Sequence, residues 1–274
     1  MWGRCVLTML CWPIVGLCGV LRYVDTEWPT LWLDLNLELS YWPVAPSNRL
    51  KNGYSLAKNV ARNVRNGHLT DNARRCPRLA NFTDVMSIGA SSNQMHVGGD
   101  AGDLMWLSND IWQLCEYEYS ASCFVEYLLP PLRGAAGWYR HSLAYSLNGT
   151  ATDQLHLFPT DSPAGYPSVN CSAKQCKFGE GWDAAYDIGL ARWGFAQLIA
   201  ICDAIKARRP PLFDRRGTGD PLPTECDLYE SGEAQRILRD LAPVPTSGSG
   251  IDVWRDVPFA TPFRHFSHLL AFMP

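Results

Sequence analysis

The chain has 274 residues, which at about 150 residues per domain allows roughly two domains or one large one. Hydrophobic residues make up 47% and charged ones 19%, which fits a packed core and excludes a disordered or collagen-like chain. With 24 basic against 27 acidic residues the net charge is −3, so the basic excess behind non-specific DNA or RNA binding is missing and no nucleic-acid partner is expected.

At the amino terminus, residues 5–21 form an uncharged run flanked by Arg4 and Arg22. A basic start followed by an apolar stretch resembles a secretory signal, so residues 1–21 read as a signal peptide or as the hydrophobic start of a fragment, and 22–274 as the domain. Pro13, Gly16 and Gly19 weaken a spanning helix, and membrane contact is expected only if this run is an anchor. Three Asn-x-Ser/Thr sequons, at Asn81, Asn148 and Asn170, fit a secretory-pathway or extracellular location.

The next segment, 31–39, alternates strictly, apolar at odd positions and polar at Asp34, Asn36 and Glu38. Taken alone, period two predicts a strand whose polar members share one face, either solvated or aimed into a polar cavity. Residues 55–66 read as a weak helix, and 67–102, rich in Gly, Asn, Asp and Arg, as a long loop. From Asp103 to Tyr119 apolar residues recur at three and four (Leu104, Leu107, Ile111, Leu114, Cys115), which predicts a helix. A further helical pattern covers 123–146, with Pro130 and Pro131 marking a turn that leads into a new helix. Residues 155–166 form a proline-broken loop whose only acid is Asp161. The strongest helix is 183–207, with Ile188, Ala191, Phe195, Leu198, Cys202 and Ile205 in one stripe and Asp183 and Asp187 near its positive end. After a loop at 208–231, residues 233–241 read as a short helix. Strand signals are otherwise poor, and long helices separated by long loops predict an all-α architecture with functional groups on the loops.

Ten cysteines contain no Cys-x-x-Cys pair, which argues against a zinc ribbon or a thioredoxin-type motif. Cys115 and Cys202 sit inside apolar helical patterns and read as free buried thiols, whereas Cys171 and Cys176 flank a polar loop where they could pair. Eleven Trp and eleven Tyr supply flat apolar faces with a polar edge, suited either to a core or to sugar rings.

Near the carboxy terminus Arg264, His265 and His268 fall within five residues, and Asp256 lies nine before His265 and could orient it. They suit an anionic or polyol ligand, or act as hydrogen-bonded structural histidines. No carboxylate or Cys nearby completes a zinc set, so no metal is expected, nor any other cofactor. There is no Gly-x-Ser-x-Gly elbow, no phosphate loop and no His-Glu-x-x-His.

Four blocks together resemble the catalytic domain of glycoside hydrolase family 95, the α-L-fucosidase and α-L-galactosidase family. LDLNLELSYWPV (33–44) is similar to its Asn-x-Asn-x-Glu-x-Asn-Tyr-Trp-Pro segment. Residues 105–139 resemble its helix pair, LHLFPTDSPAGY (155–166) its Pro-x-x-Ser-Pro-Glu loop, and FRHFSHLLAFMP (263–274) its His-Arg-His-x-Ser-His block. The resemblance implies an (α/α)6 toroid, with the site in the bowl at one end and the 31–42 segment in or entering a barrel helix.

It also implies an inverting hydrolysis of a glycosidic bond, an acid protonating the leaving oxygen while a base activates water on the opposite face. The family's second Asn matches Asn36, and the first is Asp34 here. Its acid falls on Ala164, and a methyl cannot donate a proton, so Asp161 is the candidate substitute and Glu180 another. Asp256 is the nearest candidate for its supporting Asp. Glu38, Trp42, Arg264, His265 and His268 would hold the sugar. The family's first His is Phe263 here, and its barrel continues where this chain stops at Pro274, so the toroid is expected to be incomplete. The expected partner is therefore an oligosaccharide or glycan, and the rival expectation is a non-catalytic carbohydrate-binding or structural remnant.

Overall fold

A computed structural model describes residues 35–88, 102–158, 160, 181–207, 222–248 and 250–257. These residues are mostly helical, with a few small strands. The chain enters through α1 (Leu35–Tyr41), then α2 (Leu50–Arg65) and α3 (His68–Ala73). The central elements are α4 (Asp103–Glu118), α5 (Leu129–Ser142) and α6 (Ala185–Lys206), and α7 (Glu233–Asp240) follows. Between α5 and α6 runs a hairpin, β1 (Leu143–Leu147) against β2 (Thr150–Leu157), antiparallel. Two-residue strands β3 (Thr246–Ser247) and β4 (Gly250–Ile251) form a second small pairing.

α4, α5 and α6 pack on one another. α4 is buried at every position from Asp103 to Ile111, and α5 from Pro131 to Tyr139, so both are interior helices rather than amphipathic ones. α2 is the contrasting case. It buries Gly53, Leu56, Ala57, Val60 and Ala61 at three-to-four spacing against α4 and carries Arg62 and Arg65 in its last turn, where the dipole favours cations. α1 lies on α4, and α7 covers α6. α6 is long and apolar enough by composition to cross a bilayer, yet its buried stripe faces α4, α5 and α7. Several of the rings fill the core. Trp106, Trp254, Tyr139 and Phe195 are fully buried, while Trp42 keeps 37% of its surface exposed.

Four expectations are corrected. The alternation over 31–39 predicted a strand, but Leu35–Tyr41 is helical, as the family resemblance implied. Packing on α4 outweighs the period-two pattern: Leu37 and Glu38, adjacent in sequence, are both buried, and Leu39 is exposed, an order a one-sided strand does not allow. The helix expected to run to 146 ends at Ser142. Asn148 and Gly149 take left-handed conformations (φ 51° and 79°), the paired positive angles a two-residue hairpin turn requires, and so the chain folds back as β1 and β2. Cys115 and Cys202 are not free thiols: Cys115 bonds to Cys123 and Cys202 to Cys226. Finally, the segments taken as long loops contain α3, a turn at Pro77–Leu79 and a helical turn at Asp227–Glu230.

The proline pair marks the start of α5, but no open turn precedes it: Ala121–Cys123, a five-residue π segment at Phe124–Leu128 and α5 follow one another without a break, and the change from π to α pairing falls just before Pro130 and Pro131, which lack the N–H. The apolar run 5–21 and the pair Cys171 and Cys176 lie outside the described residues.

Candidate functional site

Three helices begin with a buried carboxylate in the first turn: Glu38 in α1, Asp103 in α4 and Asp187 in α6. Glu38 and Asp187 are fully buried and Asp103 is 3% exposed. Each sits at the positive end of its helix dipole, which offsets part of the cost of burying a negative charge. The three gather around two tyrosines. Tyr139 of α5 donates its hydroxyl to Asp187 Oδ1 at 2.8 Å, and Tyr186 of α6 donates to Asp103 Oδ1 at 3.3 Å. Burial, and then the negative charge of Asp103, Glu38 and Asp187, hold the Tyr186 hydroxyl well above its ordinary titration range. Burial, and then Asp187, do the same for Tyr139. Both phenols therefore stay protonated through the neutral range and donate to the buried carboxylates.

Aromatic rings wall this cluster. Trp42, just past α1, lies 6.0 Å from Trp106 (centroid to centroid, 45° between planes), and Trp106 meets Tyr186 edge-on at 5.7 Å. Gly102 makes that arrangement possible, since a Cβ there would come within 2.3 Å of the Tyr186 ring.

A second set of polar residues anchors the start of α6. Asp183, fully buried and left-handed at φ 48°, accepts from His156 Nδ1 at 2.6 Å, Arg255 Nε at 2.6 Å and the Leu157 N–H at 2.8 Å. Thr160 Oγ1 accepts from the Ala184 N–H at 3.0 Å, and the Ala185 N–H donates to the Val253 carbonyl at 3.0 Å. Trp254 Nε1 donates to the Thr160 carbonyl at 3.3 Å. Two of the N–H groups at this helix start, those of Ala184 and Ala185, are thus satisfied by residues distant in sequence, which ties Thr160 and the 251–257 segment to α6.

Asp110 stands apart. It faces a small cleft bounded by Tyr41, Val44, Gly53, Leu56, Gln113 and Leu114, and is 7% exposed with neither carboxyl oxygen hydrogen-bonded. Burial alone pushes its carboxyl well above the usual carboxylate range. A folded-state value above the unfolded one means that its contribution to stability is greatest below the unfolded value, about pH 3.9, and is lost as pH rises toward the shifted one. Asp110→Leu is therefore expected to stabilise the fold at pH 7 by about 1–3 kcal/mol, with a smaller gain at pH 4.5. Urea melts of both proteins at the two pH values check this; equal differences at both would contradict a buried neutral acid.

Of the residues singled out from sequence, Glu38 joins the carboxylate cluster and Trp42 flanks it. Asn36 lies in the first turn of α1, with its side chain outside the described residues. Asp256 is exposed, in a tight turn with φ 64°, next to the Arg255 that holds Asp183. Asp34, Asp161, Ala164, Glu180, Arg264, His265 and His268 lie outside the described residues.

Sequence reasoning passed over Asp103, Tyr139, His156 and Tyr186, and read Asp183 and Asp187 only as dipole partners. The sequence shows Asp103 and Asp187 each opening a run rich in apolar residues, which marks an acid at the head of a helix but not what lies beside it. No group of metal-ligating side chains occurs among the described residues. Compared with known proteins, the chain matches no protein-family model and no curated protein.

Proposed function

We propose that the chain is a glycoside-hydrolase-like domain, part of an (α/α)6 toroid of the family 95 type, which hydrolyses an α-L-fucoside or related glycoside with inversion. What supports this reading is the meeting of two of the four resembling blocks at one buried centre: Glu38 and Trp42 come from the first, and Trp106 and Tyr139 from the second. His156 and Thr160 of the third hold the start of α6 in a separate polar set. An oxocarbenium-like transition state carries positive charge, and buried carboxylates at fixed positions stabilise such charge without reorganising. The half-exposed face of Trp42 suits the apolar face of a sugar ring.

In this mechanism Asp34 and Asn36 hold the attacking water, Asp161 donates the proton in place of the residue at Ala164, and Asp256 is the supporting acid. Glu38, Trp42, Arg264, His265 and His268 bind the sugar. An inverting pair works across about 6.5–9.5 Å. The test is turnover of aryl α-L-fucosides and α-L-galactosides. Asp161→Asn is expected to lower kcat by at least about 100-fold, the usual worth of a general acid. Wild-type protein that neither turns over nor binds any saccharide would overturn the proposal.

The alanine at position 164 favours a second reading, a carbohydrate-binding remnant of the same fold. Binding without turnover, together with activity gained in Ala164→Glu, would select it.

A further inference from the structure

The β1–β2 hairpin ends in Asn148-Gly149-Thr150, one of the three sequons. All three residues are exposed. A Cβ added at Gly149 would meet no atom within 4 Å, so the apex stands in open space on both sides of the turn. Asn148 adopts φ 51°, a conformation that asparagine tolerates better than most residues, so the sequon asparagine also serves the turn. An independent observation concerns the compartment: Cys115–Cys123 and Cys202–Cys226 are disulfides buried in the core, and such bonds form and persist where the surroundings are oxidising. That is also where asparagine-linked glycosylation takes place.

We infer that Asn148 is an acceptor for an N-linked oligosaccharide. In the transfer, the amide nitrogen Nδ2 attacks the anomeric carbon of a lipid-pyrophosphate-linked oligosaccharide. A C–N bond forms, the C–O bond to pyrophosphate breaks, the lipid pyrophosphate leaves with the bonding pair, and the amide proton passes to a base of the host transferase. The product projects from the hairpin apex without touching the core, so the folded domain accommodates it at no cost in packing. Asn81 and Thr83 are exposed as well, but their sequon lies flat against the domain: Phe82 is stacked on His141 with centroids 3.6 Å apart, and Asp84 pairs with Arg133 and His141. The inference is independent of the hydrolase reading, because it uses neither the carboxylate cluster nor the 155–166 loop.

The experiment expresses the full chain with its own amino terminus in cultured eukaryotic cells. An N-glycan-releasing amidase is applied, and the peptide carrying Asn148 is mapped by mass. The expected result is the Asn-to-Asp signature at Asn148 in wild-type protein. Loss of one mobility step is expected in Asn148→Gln and in Thr150→Ala, with retention in Thr150→Ser. An unmodified Asn148 peptide overturns the inference, whether the four cysteines are paired or all four are free. The wild-type peptide decides the matter even if a variant fails to fold.

Discussion

Replacing Asp183 by alanine is expected to destabilise the fold by about 3–5 kcal/mol, the range found when one member of a buried charge pair is removed. For a domain of this size that corresponds to a fall in Tm of about 6–20 °C. Asp183 receives three hydrogen bonds, from His156, Arg255 and the Leu157 N–H, and is itself fully buried. The loss is not shared equally among them. Arg255 keeps 20% of its side chain exposed and can turn toward water once the carboxylate is gone. His156 is only 3% exposed, and it and the Leu157 amide would be left as buried donors without an acceptor, at about 1–3 kcal/mol each. Asp183→Asn should lose less, since asparagine also accepts the left-handed backbone and still offers one carbonyl oxygen. Thermal melts by circular dichroism check both variants; an alanine variant within about 0.5 kcal/mol of wild type, the margin typical of exposed sites, would contradict this role for Asp183.

Removing the Cys202–Cys226 bond by double alanine substitution is expected to cost about 3–3.5 kcal/mol by the chain-entropy relation. The two residues are 24 apart, and the bond ties the carboxy-terminal part of α6 to the turn before Asp227–Glu230. Cys115 and Cys123 are 8 apart, so the same relation gives that pair about 1 kcal/mol less. The ordering of the two losses is the sharper check, because both pairs are buried and both substitutions leave similar voids. Urea unfolding of the two double variants measures it. A larger loss at Cys115–Cys123 would mean that strain or residual structure in the unfolded chain, rather than loop closure, sets the scale.

Both predictions concern residues whose role the linear pattern hid. Asp183 looked like a dipole partner at the head of a helix, but α6 starts at Ala185, and the carboxylate turns back to hold the end of β2. Cys202 sits in an apolar stripe that reads the same whether its thiol is free or bonded, and its partner lies within the 208–231 segment, which reads as a loop without periodicity. The proposed site divides in the same way. Glu38 was legible as a polar residue in an apolar, tryptophan-flanked segment. Asp103 and Asp187 were not, because nothing in either run says which other helix starts lie beside it.

What the sequence determined by itself is the set of strong helices. The stripes at 103–119 and 183–207 predicted α4 and α6 to within two or three residues, and the weaker pattern at 233–241 predicted α7 as closely, because side-chain spacing along one helix is a local property. The proline pair predicted the start of α5 equally well, since the rule is a local steric one. Only the tertiary structure decided that the alternating 35–41 stretch is helical, how the cysteines pair, and that three first-turn carboxylates close on two tyrosines. These outcomes depend on which surfaces are pressed together by the burial of apolar area, a sum over residues far apart in the chain that no short window contains.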